Sequence, residues 1–303
     1  MKTLGLLFNS ILAFLLSAPG ICEPTTNTVD FSVTAHPALA AALKASQNLL
    51  DGCSEANLNG SYEVTLSGFG NPGRANTATG NASKVPLASV GVANFVPNSD
   101  GPGSVSARFT IGEGGNVSTA ALTTPDVGTY TVNGDCTAVI YDTTRGGQFN
   151  MVLIRGGTEM FGVGANYYPA FLELKKQNVP AAGCSYEVLT GNYAFELSVL
   201  DSPGNASNFN PNVTRERAAG VLTFNGSGTL SASYTLNNED VVTVVTGDKP
   251  DKGTYSVNSD CTGSFTDSTA GLDFNFVIVN GGAELFAIQS DTGYVSLLQA
   301  KVQ

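Results

Sequence analysis

From Gly60 onward the chain runs in short stretches of alternating apolar and polar residues, broken repeatedly by Gly, Asn, Asp or Pro. A period of two places successive side chains on opposite faces of a strand, and such runs bounded by turn formers read as antiparallel sheet. Strands are predicted near 61–69, 87–96, 104–111, 117–122, 127–133, 136–142, 148–155, 158–164 and 168–174. A second series follows near 192–200, 213–224, 229–236, 241–246, 253–258, 261–267, 273–280, 283–289 and 293–299. One segment has another period: Leu39, Leu43 and Leu50 recur near 3.6-residue spacing between His36 and Leu50. With Pro37 suited to a first turn, this predicts a short amino-terminal helix docked on the sheet. Arg155-Gly156-Gly157-Thr158 and Asn280-Gly281-Gly282-Ala283 predict two-residue hairpins whose glycines take positive φ.

The two series are copies of one another. Asp126-Val127-Gly128-Thr129-Tyr130 through Asp135-Cys136-Thr137 returns 125 residues later as Asp251-Lys252-Gly253-Thr254-Tyr255 through Asp260-Cys261-Thr262. The same shift carries the block from Phe149 to Phe161 onto the block from Phe274 to Phe286. Upstream, Cys53, Leu58, Gly60 and Tyr62 match Cys184, Leu189, Gly191 and Tyr193. Positions kept in both copies serve the shared fold, and positions that differ are where a specialised role can sit. Eight or nine strands in about 120 residues favour closure, which removes unpaired edges. The expected fold class is therefore all-β, as two tandem antiparallel β-barrel repeats over 53–177 and 184–303, after a segment 21–52 that holds the helix. The runner-up, a β-sandwich, would carry a buried Trp beside a disulfide, and the chain has no Trp.

Residues 1–20 have the layout of a secretory signal peptide: Met1-Lys2-Thr3, an apolar run from Leu4 to Leu16, then Ser17-Ala18-Pro19-Gly20. That run is too short to span a bilayer, and no later stretch approaches the roughly 20 apolar residues a spanning helix needs. The expected location is outside the cell or in the secretory lumen. Cys22 reads as an odd thiol, without a lipid anchor. The other four cysteines fall two per repeat, which predicts bridges Cys53–Cys136 and Cys184–Cys261. A net charge of −11 with no Lys/Arg cluster argues against nucleic acid and anionic lipid as partners. Asn59, Asn81, Asn116, Asn205, Asn212 and Asn225 each open a glycosylation sequon.

Catalytic machinery is sparse. A single histidine, His36, cannot build a histidine zinc site and would have to serve any Ser-His-Asp relay alone. Gly112-Glu113-Gly114-Gly115 precedes a strand rather than a helix, so it reads as a turn and not a phosphate loop. No metal or nucleotide cofactor is expected. Glu159 and Glu284 follow the Gly-Gly turns and share a face with Phe161 and Phe286. If that face points inward, the carboxyl has a raised pKa and can act as a general acid; if not, it is a structural carboxylate at the barrel rim. Tyr62, Tyr130, Tyr193 and Tyr255 read as core. The copies diverge at Arg155 against Asn280, Tyr141 against Thr266 and Met151 against Phe276, and around Tyr167-Tyr168-Pro169. These differences place the site in the first barrel. In the catalytic reading a lumen or inter-repeat pocket holds an apolar small molecule, Glu159 or a Tyr donates a proton, Arg155 or Tyr168 positions an oxygen, and Phe149, Met151, Phe161 and Tyr141 form walls.

The motif Gly-Thr-Tyr-x-Val-Asn-x-Asp-Cys-Thr, followed by Phe-Asn-Phe/Met-Val and Gly-Gly-x-Glu, resembles a repeat of secreted proteins with barrels of the allene oxide cyclase and lipocalin type. The overall layout, secreted, duplicated and without cofactor motifs, is similar to the fungal hetero-Diels–Alderases of tropolonic sesquiterpene biosynthesis. That resemblance implies dehydration of a hydroxymethyl tropolone to a quinone methide, captured by a humulene-type alkene without a cofactor. It supplies no site residue. The competing expectation is a non-catalytic secreted small-molecule-binding or surface glycoprotein, and either form is compatible with a homo-oligomer.

Overall fold

The computed structural model describes residues 52–70, 85–165, 170–200, 215–238 and 241–303. The expected signal peptide, the helix from His36 to Leu50, Cys22, Tyr167, Tyr168, Pro169, Asn81, Asn205 and Asn212 lie outside them. The fold is all-β. The first copy comprises β1 (Gly60–Gly70), β2 (Val85–Val96), β3 (Gly103–Glu113), β4 (Asn116–Ser118), β5 (Asp126–Val132), β6 (Thr137–Asp142), β7 (Gln148–Ile154), β8 (Glu159–Gly164) and β9 (Ala170–Lys176). The second has β10 (Thr190–Leu200), β11 (Arg215–Asn225), β12 (Thr229–Asn238), β13 (Val241–Val245), β14 (Asp251–Val257), β15 (Thr262–Asp267), β16 (Leu272–Val279), β17 (Glu284–Gln289) and β18 (Ser296–Val302). The order β2-β1-β9-β8-β7-β6-β5-β3 is closed by a β2–β3 pairing, and β11–β12 closes the second sheet in the same way. Each copy is thus an eight-stranded antiparallel barrel, with the short β4 or β13 hanging on the outside of β3 or β12. The predicted strand 117–122 is the one that shrinks: Ala120–Thr123 forms a single helical turn, α1, instead.

Closure explains the inward pattern. Tyr62, Phe95 and Tyr130 pack edge to face inside the first barrel, as Tyr193, Phe224 and Tyr255 do inside the second. All four tyrosines are buried, as their strand faces predict. One end of each barrel is shut by the segment that carries the first cysteine. In the first barrel Leu58 is buried there, the Tyr130 hydroxyl donates to the Leu58 carbonyl at 2.8 Å, and the Tyr62 hydroxyl donates to the Gly157 carbonyl at 2.7 Å. Burial of both rings pushes the Tyr62 and Tyr130 hydroxyls up to about 12. The bridges are Cys53–Cys136 and Cys184–Cys261, one per barrel, and they fit an oxidising compartment.

The Gly-Gly turns take positive φ, but they are four-residue loops rather than two-residue hairpins. Ile154 pairs with Glu159, and Arg155, Gly156 and Gly157 have φ of 51°, 67° and 88°. A Cβ on Gly157 would lie 2.6 Å from the Asn57 carbonyl oxygen, so the turn must be glycine to let the end-closing segment approach.

The barrels pack side against side. Ala88 and Val90 from β2 meet Val277, Val279, Phe286, Ile288 and Val295 of the second barrel in a buried apolar layer. Three side-chain links flank it, together with a backbone bond in which the Gly293 N–H donates to the Gly115 carbonyl at 2.6 Å. Asn275 Nδ2 donates to Thr110 Oγ1 at 3.0 Å, Gln177 Nε2 donates to the Ile278 carbonyl at 3.2 Å, and Lys175 Nζ donates to Glu284 Oε1 at 3.0 Å. The contact uses different faces of the two copies, β1–β3 and β9 on the first barrel and β16–β18 on the second.

Candidate functional site

Four cavities bear on function: one inside each barrel and two between them, of which the smaller, about 280 Å³, lies beside Phe171, Glu196 and Arg217. The first lumen is about 120 Å³ and opens at the end opposite the disulfide. Its walls are apolar, including Val64, Leu66, Val105, Ile140, Phe149 and Leu172. At its mouth Arg145 Nε donates to Asp126, and the guanidinium lies 5.1 Å from the centre of the Phe109 ring. Burial raises the Asp142 and Glu113 carboxyls above their ordinary values, with Arg145 pulling each part of the way back. The second lumen, about 130 Å³, has the same plan with a different mouth. Tyr234 stands where the first barrel has Phe109, and Ala270 where it has Arg145. The Tyr234 hydroxyl donates to Asp251 Oδ2 at 2.7 Å, so the buried carboxylate shared by both copies finds its partner on another strand.

The cleft between the barrels is larger, about 590 Å³. Val90, Val92 and Val277 give it an apolar floor, while Arg108, Asn94, Ser264 and Asp260 line its rim. Asp260 is held in place by the Thr262 amide and hydroxyl, the arrangement that Asp135 and Thr137 repeat in the first copy, so it is a turn residue. Arg108 is exposed and has no hydrogen-bond or ion-pair partner among the described residues. A serine, Ser233, occupies its place in the second copy.

The expected constellation is not assembled. Phe149 lines the first lumen, and Met151 is buried in the core of the same barrel. Glu159 and Phe161, expected to point inward, lie on the outer wall, because Met160 and Gly162 take the inward positions of β8. Gly162 is needed there: a Cβ would fall 2.0 Å from Met151 Sδ, so the methionine already fills that space. Phe161 instead stacks on Phe171 outside, with ring centres 5.8 Å apart. Arg155 pairs with Glu159 at 2.9 Å at the shut end of the barrel, remote from the lumen mouth. Tyr141 is exposed on the outer surface. Of the described sequon residues, Asn59, Asn116 and Asn225 are all exposed.

A further buried group has no counterpart in the expectations. Glu63 on β1 points out of its barrel into the inter-barrel contact, is fully buried, and has no hydrogen-bond partner for either carboxyl oxygen. Its cross-strand neighbour Lys175 gives its ammonium to Glu284 and Glu173, at 3.0 and 3.2 Å. Desolvation, with Glu173 and Glu284 nearby, therefore drives the Glu63 carboxyl well above its ordinary value, against the pull of Lys175. For Glu284 desolvation works the other way from its partners, and hydrogen bonds from Lys175 and Gln299 hold its carboxyl below the ordinary value.

Comparison with known proteins adds no assignment: no protein-family model matches the chain, and no curated protein matches it.

Proposed function

We propose that the chain is a cofactor-free cyclase that seats two reactants in the cleft between its barrels. The proposed reaction is the hetero-Diels–Alder addition of a tropolone quinone methide to a humulene-type alkene. The observation that carries the choice of site is volume. Lumens of about 120 and 130 Å³ hold about one ring each, since a cavity near 150 Å³ accommodates benzene. A cleft of about 590 Å³ lies within the usual range for organic ligands of about 300–1,000 Å³. Its floor suits a terpene, and Arg108 suits the paired ring oxygens of a tropolone, because a guanidinium binds two neighbouring oxygens at once. In this reading Arg108 stabilises the ring oxygen as its proton leaves. The hydroxymethyl oxygen departs as hydroxide, so that one water is lost in all. Holding the quinone methide against the alkene then replaces a bimolecular encounter with an oriented one, and the C–C and C–O bonds form together.

The test is to incubate the purified chain with a hydroxymethyl tropolone and humulene, and to compare rate and stereochemistry with buffer. Arg108→Ala is expected to lower kcat/KM about 10²-fold, with partial recovery in Arg108→Lys. Product identical to buffer in rate and isomer ratio would remove the cyclase reading. It would leave the non-catalytic binder, which the apolar first lumen favours independently and which calorimetry with a single-ring ligand would detect.

A further inference from the structure

We infer that this chain associates head to tail with further copies of itself, by repeating between molecules the contact that joins its own two barrels. The inner contact pairs a donor face on the second barrel, the outer side of β16–β18, with a receiving face on the first, the outer side of β1–β3 and β9. Because both barrels are copies of one unit, each carries both faces. One donor face and one receiving face are left over, and the strand registers show what each holds.

On the unused donor face, Val152, Ile154, Phe161, Val163 and Phe171 of the first barrel stand where Val277, Val279, Phe286, Ile288 and Leu297 stand in the second. Every position is apolar in both. Yet Val152, Val163 and Phe171 are 51, 53 and 46% exposed, whereas Val277 and Ile288 are 2 and 0% exposed. An apolar patch of this kind on a charged protein marks a contact surface.

The polar links are duplicated as well. Asn275, which donates to Thr110 across the inner contact, has Asn150 as its equivalent, and Thr110 has Thr235; both are exposed. Glu284, which takes a hydrogen bond from Lys175, has Glu159, and Lys175 has Lys301, which is 60% exposed. Gln177, whose amide side chain reaches the Ile278 carbonyl, has Gln303, whose backbone amide bonds Asn192 as that of Gln177 bonds Ser61. The donor and acceptor sets for a second such contact are therefore both present on one chain, with Phe171 of the one face and Glu196 and Arg217 of the other bordering the same cavity.

The unused receiving face differs where the inner one is most apolar: Arg217 replaces Ala88, Ala219 replaces Val90 and Glu196 replaces Thr65. These changes make the outer contact weaker than the inner one, and so reversible. A contact between unlike faces does not close on itself in a pair, so it builds rings or open chains.

The experiment is sedimentation velocity on the full secreted chain across a wide concentration range, at low and raised salt. The expected result is concentration-dependent growth beyond the monomer, stronger at raised salt, which screens the net charge of −11. Val163→Asp on the donor face and Ala219→Asp on the receiving face should each weaken association at least about tenfold. Both positions are exposed, so thermal unfolding should be unchanged, which separates lost contact from lost fold. Mixing the two variants should restore a one-to-one pair and nothing larger, because each keeps the face the other lacks. A monomer at every concentration would overturn the inference. So would sensitivity to Val163→Asp without sensitivity to Ala219→Asp, which would mean that like faces meet. Neither result bears on the cyclase reading, which is scored on product formation.

Discussion

Replacing Glu63 by Gln should flatten one component of the pH dependence of stability, and its size can be worked out from the contact. Three carboxyls, Glu63, Glu173 and Glu284, approach one partly buried ammonium on Lys175, which bonds the last two. Glu63 is left without a partner in a site closed to water, so it keeps its proton in the folded chain to a pH well above the ordinary 4.5. A raised carboxyl means that the folded state binds more protons than the unfolded one above pH 4.5. The associated stability is fully present below that value and is lost as pH rises toward the folded-state pKa. The slope is about 1.4 kcal/mol per pH unit, or about 3 °C in Tm per unit for a domain of this size. Glu284 contributes with the opposite sign, since its carboxyl is held low and its stabilisation is lost as pH falls. The useful quantity is therefore the difference between variant and parent. Urea unfolding at half-unit steps from pH 4 to 8 should show Glu63→Gln gaining on the parent by about 1.4 kcal/mol per unit from pH 4.5 upward. Below pH 4.5 the two should be nearly equal in stability, since the amide is as poorly partnered as the protonated acid, and Glu63→Leu, which removes the buried polar group, should exceed Glu63→Gln by a pH-independent amount. A difference that does not change with pH would show that Glu63 is ionised and solvated, and would refute the reasoning.

Two further outcomes follow from the paired architecture. Removing either disulfide by Cys→Ser pairs should destabilise its barrel by about 2–5 kcal/mol in chemical denaturation, and by nearly equal amounts, because the sequence separations are 83 and 77 residues; a loss well below about 1 kcal/mol would contradict it. Val277→Ala should cost about 1.5 kcal/mol or more in monomer stability and Val152→Ala less than about 0.5 kcal/mol, although the two residues are equivalent, because one is 2% exposed and the other 51%; equal costs would refute the assignment of faces.

The barrels were legible in the sequence because the information for them is local and stated twice. Alternation, turn glycines and paired cysteines place both bridges, and every strand within a residue or two except 117–122, which ends at Ser118, and 293–299, which runs three residues later as Ser296–Val302; Tyr62, Tyr130, Tyr193 and Tyr255 follow from period two alone. The orientation of β8 was not legible. Glu159 and Phe161 share one strand face, which the catalytic reading needs inside, yet Met151 fills the space beside Gly162, and the methionine–glycine pair, not Phe161, decides which face is in. Small-to-large complementarity across a strand pair is a property of packing and not of periodicity. The alignment of the copies did hold a signal that conserved motifs conceal. Glu63 faces Ala194, Arg108 faces Ser233 and Arg145 faces Ala270, and these three divergences fall on the inter-barrel contact, the cleft and the lumen mouth.

Those divergences also say how a duplicated barrel becomes more than two barrels. Inward positions are constrained identically in both copies, since the same ring of strands must be filled. Outward positions are free until two copies dock, and the receiving face that is not used inside the chain has diverged where the used one is apolar, with Arg217 for Ala88 and Glu196 for Thr65. In the second barrel β17 is buried along its whole length, whereas β8 alternates, although the two strands occupy the same place in the repeat. On the receiving side the first barrel has Glu63 where the second has Ala194. A buried acid is a costly way to join two surfaces, and an apolar residue of similar size would hold them at least as well. Its retention at a contact beside a cleft of ligand size therefore makes the barrel–barrel junction, rather than either lumen, the part of the molecule whose chemistry departs furthest from what folding alone requires.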